Sequence, residues 1–216
     1  MLGRLDSGAQ ATLPHFNAVA AERLREAANL LSQQSDAQQS RVFVGIKIAP
    51  AIASQLAEIA ESLKGPSVRR VASADIHFTL VPPWNDRSVA ETIGKLSLVA
   101  ARFGSFPLHF QHIGYGPQPR RPRLLWAECI SSDELSVLRT VFLQTLGQAA
   151  DDRPFLPHVT LARIRAQPSV ITRQRPIDRL LSLTQQIKSI ELFQSPPAGG
   201  SGYRILASSR LGENCE

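Results

Sequence analysis

The chain has 216 residues, 43% of them hydrophobic, with a formal charge of +6. That is enough to fold as one two-lobed domain or two small ones, and it excludes a disordered chain. No apolar run reaches the 18 residues that a membrane span needs, and the two cysteines, Cys129 and Cys215, form no C-x-x-C pair. A membrane span, a disulfide framework and a thiolate zinc site are therefore all set aside.

The first sixteen residues lack the continuous apolar stretch of a secretory leader, so a reducing, cytoplasmic setting is expected. Of the 24 basic residues, 20 are Arg. Arg pairs bidentately with phosphate, so the bias suits a phosphorylated or nucleic-acid ligand; biased genome composition accounts for it equally well.

Residues 1–40 read as an arm that precedes the main fold of residues 41–216. Phe16, Ala20, Leu24, Ala27 and Leu31 recur at helical spacing, and "SQQSDAQQS" reads as a polar linker. The main fold opens with "RVFVGIKIAP", a β-branched strand ended by Pro50. Ile52, Leu56, Ile59 and Leu63 predict a helix stopped by Gly65. "DIHFTLVPPW" (75–84) predicts a strand broken by Pro82 and Pro83. A helix through Val89, Ile93, Leu96, Ala100 and Phe103 comes next, then the strand "FPLHFQHIGY".

The order then repeats. "RLLWAECI" (123–130) is a strand, and Ser131 with Glu134 suggests a capping box before a helix holding Leu135, Leu138, Phe142 and Leu146. "FLPHVTLARIR" is the next strand. A shorter helix is expected near Pro176 to Leu183, then the strands "QQIKSIELFQ" and "YRILASSRL". From Arg41 to His77 is 36 positions and from Arg123 to His158 is 35. Each half thus reads strand, helix, His-x-Thr strand, helix, strand, a weak internal repeat.

Side chains alternate along a strand, so His77 and Thr79 share a face, as do His158 and Thr160. Two such units related by a pseudo-twofold axis would face two imidazoles and two hydroxyls across one cleft. That set suits phosphoryl chemistry without a metal. One imidazole takes a proton, the other gives one, and the hydroxyls hold the phosphoryl oxygens. A lone His-x-Thr on a strand reads as structural; two at equivalent places of a repeat point to function. Arg163 adds a cation but lies an odd three positions from Thr160, so a twist or strand end is needed to bring it round. His109 and His112, also three apart, face opposite ways on a regular strand and make a poor metal pair. Trp84 is read as a core aromatic or a base-stacking one. No phosphate-binding glycine loop, dinucleotide fingerprint or acidic metal cluster is present.

The paired H-x-T-L strands, "RVFVGIKIAP", "RLLWAECI" and "PHVTLARIR" together resemble the two-histidine (2H) phosphoesterase superfamily. They are most similar to its bacterial RNA 2′,3′-cyclic phosphodiesterases, historically called 2′-5′ RNA ligases. The resemblance covers residues 41 to about 211. It implies an α+β, bilobal fold with antiparallel sheets flanking a central cleft, and no cofactor or metal. It implies hydrolysis of 2′,3′-cyclic phosphate ends of RNA or nucleotides to 2′-phosphates, with 2′-5′ ligation as the reverse activity. His77 is implied as proton donor and His158 as acceptor, with Arg163 and Phe43 near the substrate. The 40-residue arm and the double proline after the first motif depart from the family pattern and leave substrate choice open. Alternatives are a different phosphodiester, such as 2′-5′ oligoadenylate or an ADP-ribose cyclic phosphate, and an RNA-end-binding module without turnover. A monomer is favoured.

Overall fold

The structure, a computed structural model, describes residues 40–118, 121–150, 154–197, 200 and 202–212. The expected arm helix and linker, apart from Ser40, lie outside these residues, as does Cys215. The described residues form nine strands and four α-helices, in chain order: β1 (Ser40–Lys47), α1 (Pro50–Ala60), β2 (Val68–Arg70), β3 (His77–Asp86), α2 (Val89–Ala100), β4 (Phe106–Gly116), β5 (Leu124–Cys129), α3 (Asp133–Thr145), β6 (His158–Ile164), α4 (Pro168–Gln174), β7 (Arg179–Ile187), β8 (Ser189–Gln194) and β9 (Arg204–Arg210). None of the described helices is long and apolar enough to cross a membrane.

The expected α+β architecture is present, with all strand pairs antiparallel. The order is β7-β4-β5-β6-β3-β1-β8-β9, with β2 added beside β6. The order is symmetric about the β6/β3 junction. Each opening strand, β1 or β5, flanks its own His-x-Thr strand, β3 or β6. The lobes are not sequence halves, however. β4 closes the first half in sequence but pairs with β5 and β7, and β8 comes late yet pairs with β1. Within the sheet, β3 and β6 are joined by one residue pair, Phe78 opposite Val159.

Phe78 and Val159 are fully buried, as are Leu80, Val81, Leu161 and Ala162. They belong to one apolar cluster with Leu56 of α1, Leu96 and Val99 of α2, and Leu138 and Phe142 of α3. The residues between the motif positions thus anchor both strands in the core, while His77, Thr79, His158 and Thr160 stay half-buried on the other face.

Four local expectations are corrected. The helix near Pro176 to Leu183 is instead α4, opened by Pro168 at its start, and Arg179–Ile187 is a strand. "QQIKSIELFQ" divides between β7 and β8 at Lys188. The cap of α3 is Ser132, whose Oγ accepts the Leu135 N–H at 3.2 Å; the Ser131 capping box does not form. Pro82 and Pro83 do not end β3, which runs on to Asp86. They lie where β3 carries an extra residue against β1, between the pairs Val44–Val81 and Val42–Trp84. A bulge demands no ladder N–H from proline, so the strand continues.

Candidate active site

A second irregularity positions the site. Gly45 stands opposite Thr79 and Val44 opposite Val81, so Leu80 is an extra residue on β3. Trp126 stands opposite Thr160 and Leu125 opposite Ala162, so Leu161 is an extra residue on β6. Both bulges come directly after His-x-Thr, and both strands show two consecutive buried residues there, Leu80–Val81 and Leu161–Ala162. A bulge inverts the parity of every residue beyond it on the strand. Arg163 is thereby turned to the solvent side that carries His158 and Thr160, with Ile164 buried behind it. The reach that regular alternation denied Arg163 is restored by one inserted leucine. The equivalent position on β3 is Pro82.

The Phe78–Val159 register sets His77 toward Thr160 and Thr79 toward His158. The two imidazoles are held alike. His77 Nδ1 lies 2.6 Å from the Asp75 carbonyl oxygen, and His158 Nδ1 lies 2.7 Å from that of Leu156. A carbonyl only accepts, so Nδ1 donates in each ring and Nε2 is left for chemistry.

Each ring also rests on an aromatic wall. His77 lies 4.8 Å from Phe43, which stacks on Phe193 at 4.9 Å, and Tyr203 meets His77 edge-on at 4.7 Å. Gly45 makes room: a Cβ there would meet the Phe78 carbonyl oxygen at 2.4 Å and Phe193 at 3.3 Å. His158 lies 4.5 Å from Trp126, and Trp126 fits over Gly116, whose Cβ would meet the indole at 2.2 Å.

Burial is the main reason that both histidines sit below the ordinary imidazole range. The bonds to the backbone carbonyls oppose it. The Arg163 cation lowers both rings further, and His158 lowers His77. Asp75 favours the charged form of His77, and Glu128 that of His158. Arg163 therefore acts electrostatically on both imidazoles.

A cleft of about 910 Å³ opens beside His158, lined by Thr79, Pro82, Trp126, His158 and Arg163 among others; His77 and Thr160 do not line it. Phe43 is almost wholly buried and buttresses His77. Trp84 is not brought to the pair. It sits opposite Val42 toward the far end of β3, seven residues beyond His77, and packs against the apolar core. Seven residues of strand span roughly 23 Å, too far for stacking at this cleft. A bulge at Gln111 against β5 leaves both His109 and His112 off the buried face, contrary to the regular alternation expected. They remain separate, His109 bonded to Thr184 and His112 to Asp178.

Sequence reasoning missed Trp126 and Tyr203. Trp126 stands in the quoted strand "RLLWAECI" and was legible as the residue facing Thr160 once β5 and β6 were paired. Tyr203 carries no local signal. Among the described residues no group of three His, Cys, Asp or Glu could hold a metal ion.

Symmetric order, twinned bulges and a shared His-x-Thr face define a two-histidine phosphoesterase fold. A model described as the 2′-5′ RNA ligase superfamily matches residues 46–195, and the chain belongs to that family. It is 29% identical over 151 residues to a protein of Aeropyrum pernix named RNA 2′,3′-cyclic phosphodiesterase, covering 65% of this chain and 85% of that one. A protein of the same name from Archaeoglobus fulgidus is 28% identical over 161 residues, covering 72% and 90%. Among solved structures, a Thermus thermophilus protein superposes with a TM-score of 0.63 at 20% identity, covering 81% of this chain and 99% of that one. Escherichia coli LigT in complex with 3′-AMP gives 0.62 at 23%, covering 80% and 98%. These structures share the fold.

Proposed function

We propose that the protein hydrolyses 2′,3′-cyclic phosphate ends of RNA or nucleotides to 2′-phosphates, using His77 and His158 as an acid–base pair. The observation that carries this reading is the matched pair of imidazoles, each with Nδ1 committed to a carbonyl two residues earlier. Two Nε2 atoms are thereby left on the face that also carries Thr79 and Thr160. The names of the Aeropyrum and Archaeoglobus relatives support the substrate class.

In this mechanism the neutral imidazole takes a proton from water as the water oxygen bonds to phosphorus. The P–O3′ bond breaks, and the protonated imidazole gives its proton to O3′. Atoms balance: one water is consumed, a 2′-phosphate and a 3′-hydroxyl form, and the two rings exchange protonation states, to be reset by solvent. The hydroxyls of Thr79 and Thr160 donate to the non-bridging oxygens, and Arg163 compensates the phosphoryl charge. The family resemblance makes His77 the donor and His158 the acceptor; each ring has one carboxylate that favours its charged form, Asp75 for His77 and Glu128 for His158.

The test is incubation of purified protein with 2′,3′-cyclic nucleotides in excess EDTA, with product identification. Full turnover to the 2′-phosphate is expected. A rate that collapses without divalent metal, or release of a 3′-phosphate, would contradict the mechanism. Turnover confined to 2′-5′ oligonucleotides would reassign the substrate, and binding without turnover would leave an RNA-end-binding module.

Arg163→Gln tests the electrostatics. Removing the cation lets both imidazole pKa values rise, so the kcat/KM maximum should move to higher pH, while the peak value falls by about tenfold or more with the lost phosphoryl contact. A profile unmoved along the pH axis would show that Arg163 does not act on the pair.

A further inference from the structure

The cleft is strongly one-sided in charge. Arg121, Arg123, Arg139, Arg163 and Arg165 all line it, and among the described residues no Asp or Glu does. Arg121 and Arg123 alternate with buried Pro122, and Arg163 and Arg165 with buried Ile164. The two Arg-x-Arg segments run side by side: Leu124 stands opposite Arg163, and the Ile164 N–H donates to the Arg123 carbonyl at 2.8 Å. Arg139 approaches from α3. Its guanidinium lies 4.5 Å over Phe155, and its buried Nε has no hydrogen-bond partner among the described residues. The pseudo-symmetric side differs: Pro82 takes the place of Arg163.

One cyclic phosphodiester carries a single negative charge, which Arg163 and the two threonines already meet. Four more guanidiniums on the same wall are matched only by additional anions. A 2′,3′-cyclic phosphate terminates an RNA strand, so the strand continues through the 5′ oxygen of that nucleotide and brings its phosphodiesters with it. Arg121 and Arg123 lie just before β5 and Arg165 just after β6; residues two apart stand at most about 7 Å from each other in extended chain, on the scale of neighbouring phosphates.

We propose that the wall formed by Arg121, Arg123 and Arg165 is a subsite for the internucleotide phosphates 5′ of the cyclic end, which makes the substrate an oligoribonucleotide rather than a mononucleotide. This rests on the phosphodiesterase reading and extends it to substrate length. Contacts to phosphate carry no base identity, so the subsite selects for length and not for sequence.

The experiment compares kcat/KM for a cyclic mononucleotide, the same nucleotide bearing a 5′-diphosphate, and a tetranucleotide ending in a 2′,3′-cyclic phosphate. Wild type and the Arg121→Gln, Arg123→Gln, Arg165→Gln triple variant are measured over a range of salt. The tetranucleotide should be preferred by at least tenfold in wild type. In the triple variant that ratio should fall toward one, and the salt slope for the tetranucleotide should drop by about 0.7 per guanidinium removed. No length preference in wild type, or a preference that survives the triple substitution, overturns the subsite. Equal acceleration by the 5′-diphosphate overturns the assignment to an RNA backbone. Fluorescence anisotropy of a labelled tetranucleotide ending in a 2′-phosphate separates this from the chemistry. If no cyclic phosphate is opened, the phosphodiesterase reading fails. Weaker binding by the triple variant would still support the subsite, and equal binding would overturn it.

Discussion

His77→Ala and His158→Ala are each expected to lower kcat for a 2′,3′-cyclic substrate by about 10²–10⁴-fold, the usual loss of one positioned acid or base. At about 1.36 kcal/mol per decade that is roughly 3–5 kcal/mol of transition-state stabilisation. The double variant should cost little more than either single one, because the two rings act as a unit. The pH profile carries the same information. Both imidazoles lie below the ordinary 6.5, and turnover needs one neutral and one protonated. As pH rises through the lowered pKa values, the acid is lost first in a larger share of molecules. The wild-type kcat/KM maximum should therefore fall below pH 6.5. An anionic substrate between the rings favours their charged forms, so the kcat maximum should lie at higher pH than that of kcat/KM. Unchanged turnover in either alanine variant, or a kcat/KM maximum well above pH 7, would remove the pair from the chemistry.

Phe78→Ala is expected to be the most damaging single truncation in the core near the site. Phe78 is fully buried, meets Phe155 edge-on at 6.1 Å, and supplies one side of the pair that joins the two lobes. Truncating a buried Phe typically costs about 3–5 kcal/mol. At about 2–4 °C per kcal/mol for a chain of this size, Tm should fall by roughly 6–20 °C. Phe78 also fixes the angle at which His77 and Thr79 leave β3, so kcat/KM should drop at temperatures where the variant is still folded. Thermal unfolding followed by circular dichroism, with activity measured well below the transition, checks both. A Tm within 2 °C of wild type would show that the junction does not bear on stability.

The twinned motif was legible because His-x-Thr recurs at matching distances from two apolar strands, α1, α2 and α3 carry an apolar helical period, and β1, β3, β4, β5 and β6 stand out as apolar runs. What could not be read was long-range or parity-breaking. Arg163 has the wrong spacing for a regular strand, and only the extra residue Leu161 brings it round. Pro82 and Pro83 look like a strand end until the bulge against β1 is known. "RLLSLTQQI" carries leucines compatible with either period. It lies at one edge of the sheet and is mostly exposed, so no strong burial pattern marks it as a strand. Trp84 has the composition of a base-stacking residue, but its position along β3 places it in the core packing.

The exchange of β4 and β8 between lobes carries a consequence for how the chain is made and cut. Val42 meets Gln194 across about 150 residues of sequence, so the first lobe is incomplete until nearly the whole polypeptide has left the ribosome. Severing the chain between β4 and β5 would not liberate two autonomous modules. The first fragment would retain β4, whose partners β5 and β7 both lie on the second, and β8 of the second would keep β9 but lose β1, so the fragments would need to reassociate to rebuild either lobe. An isolated half could satisfy its own sheet only by trading that strand with a second copy of itself. The present arrangement is such a reciprocal loan made permanent within a single polypeptide.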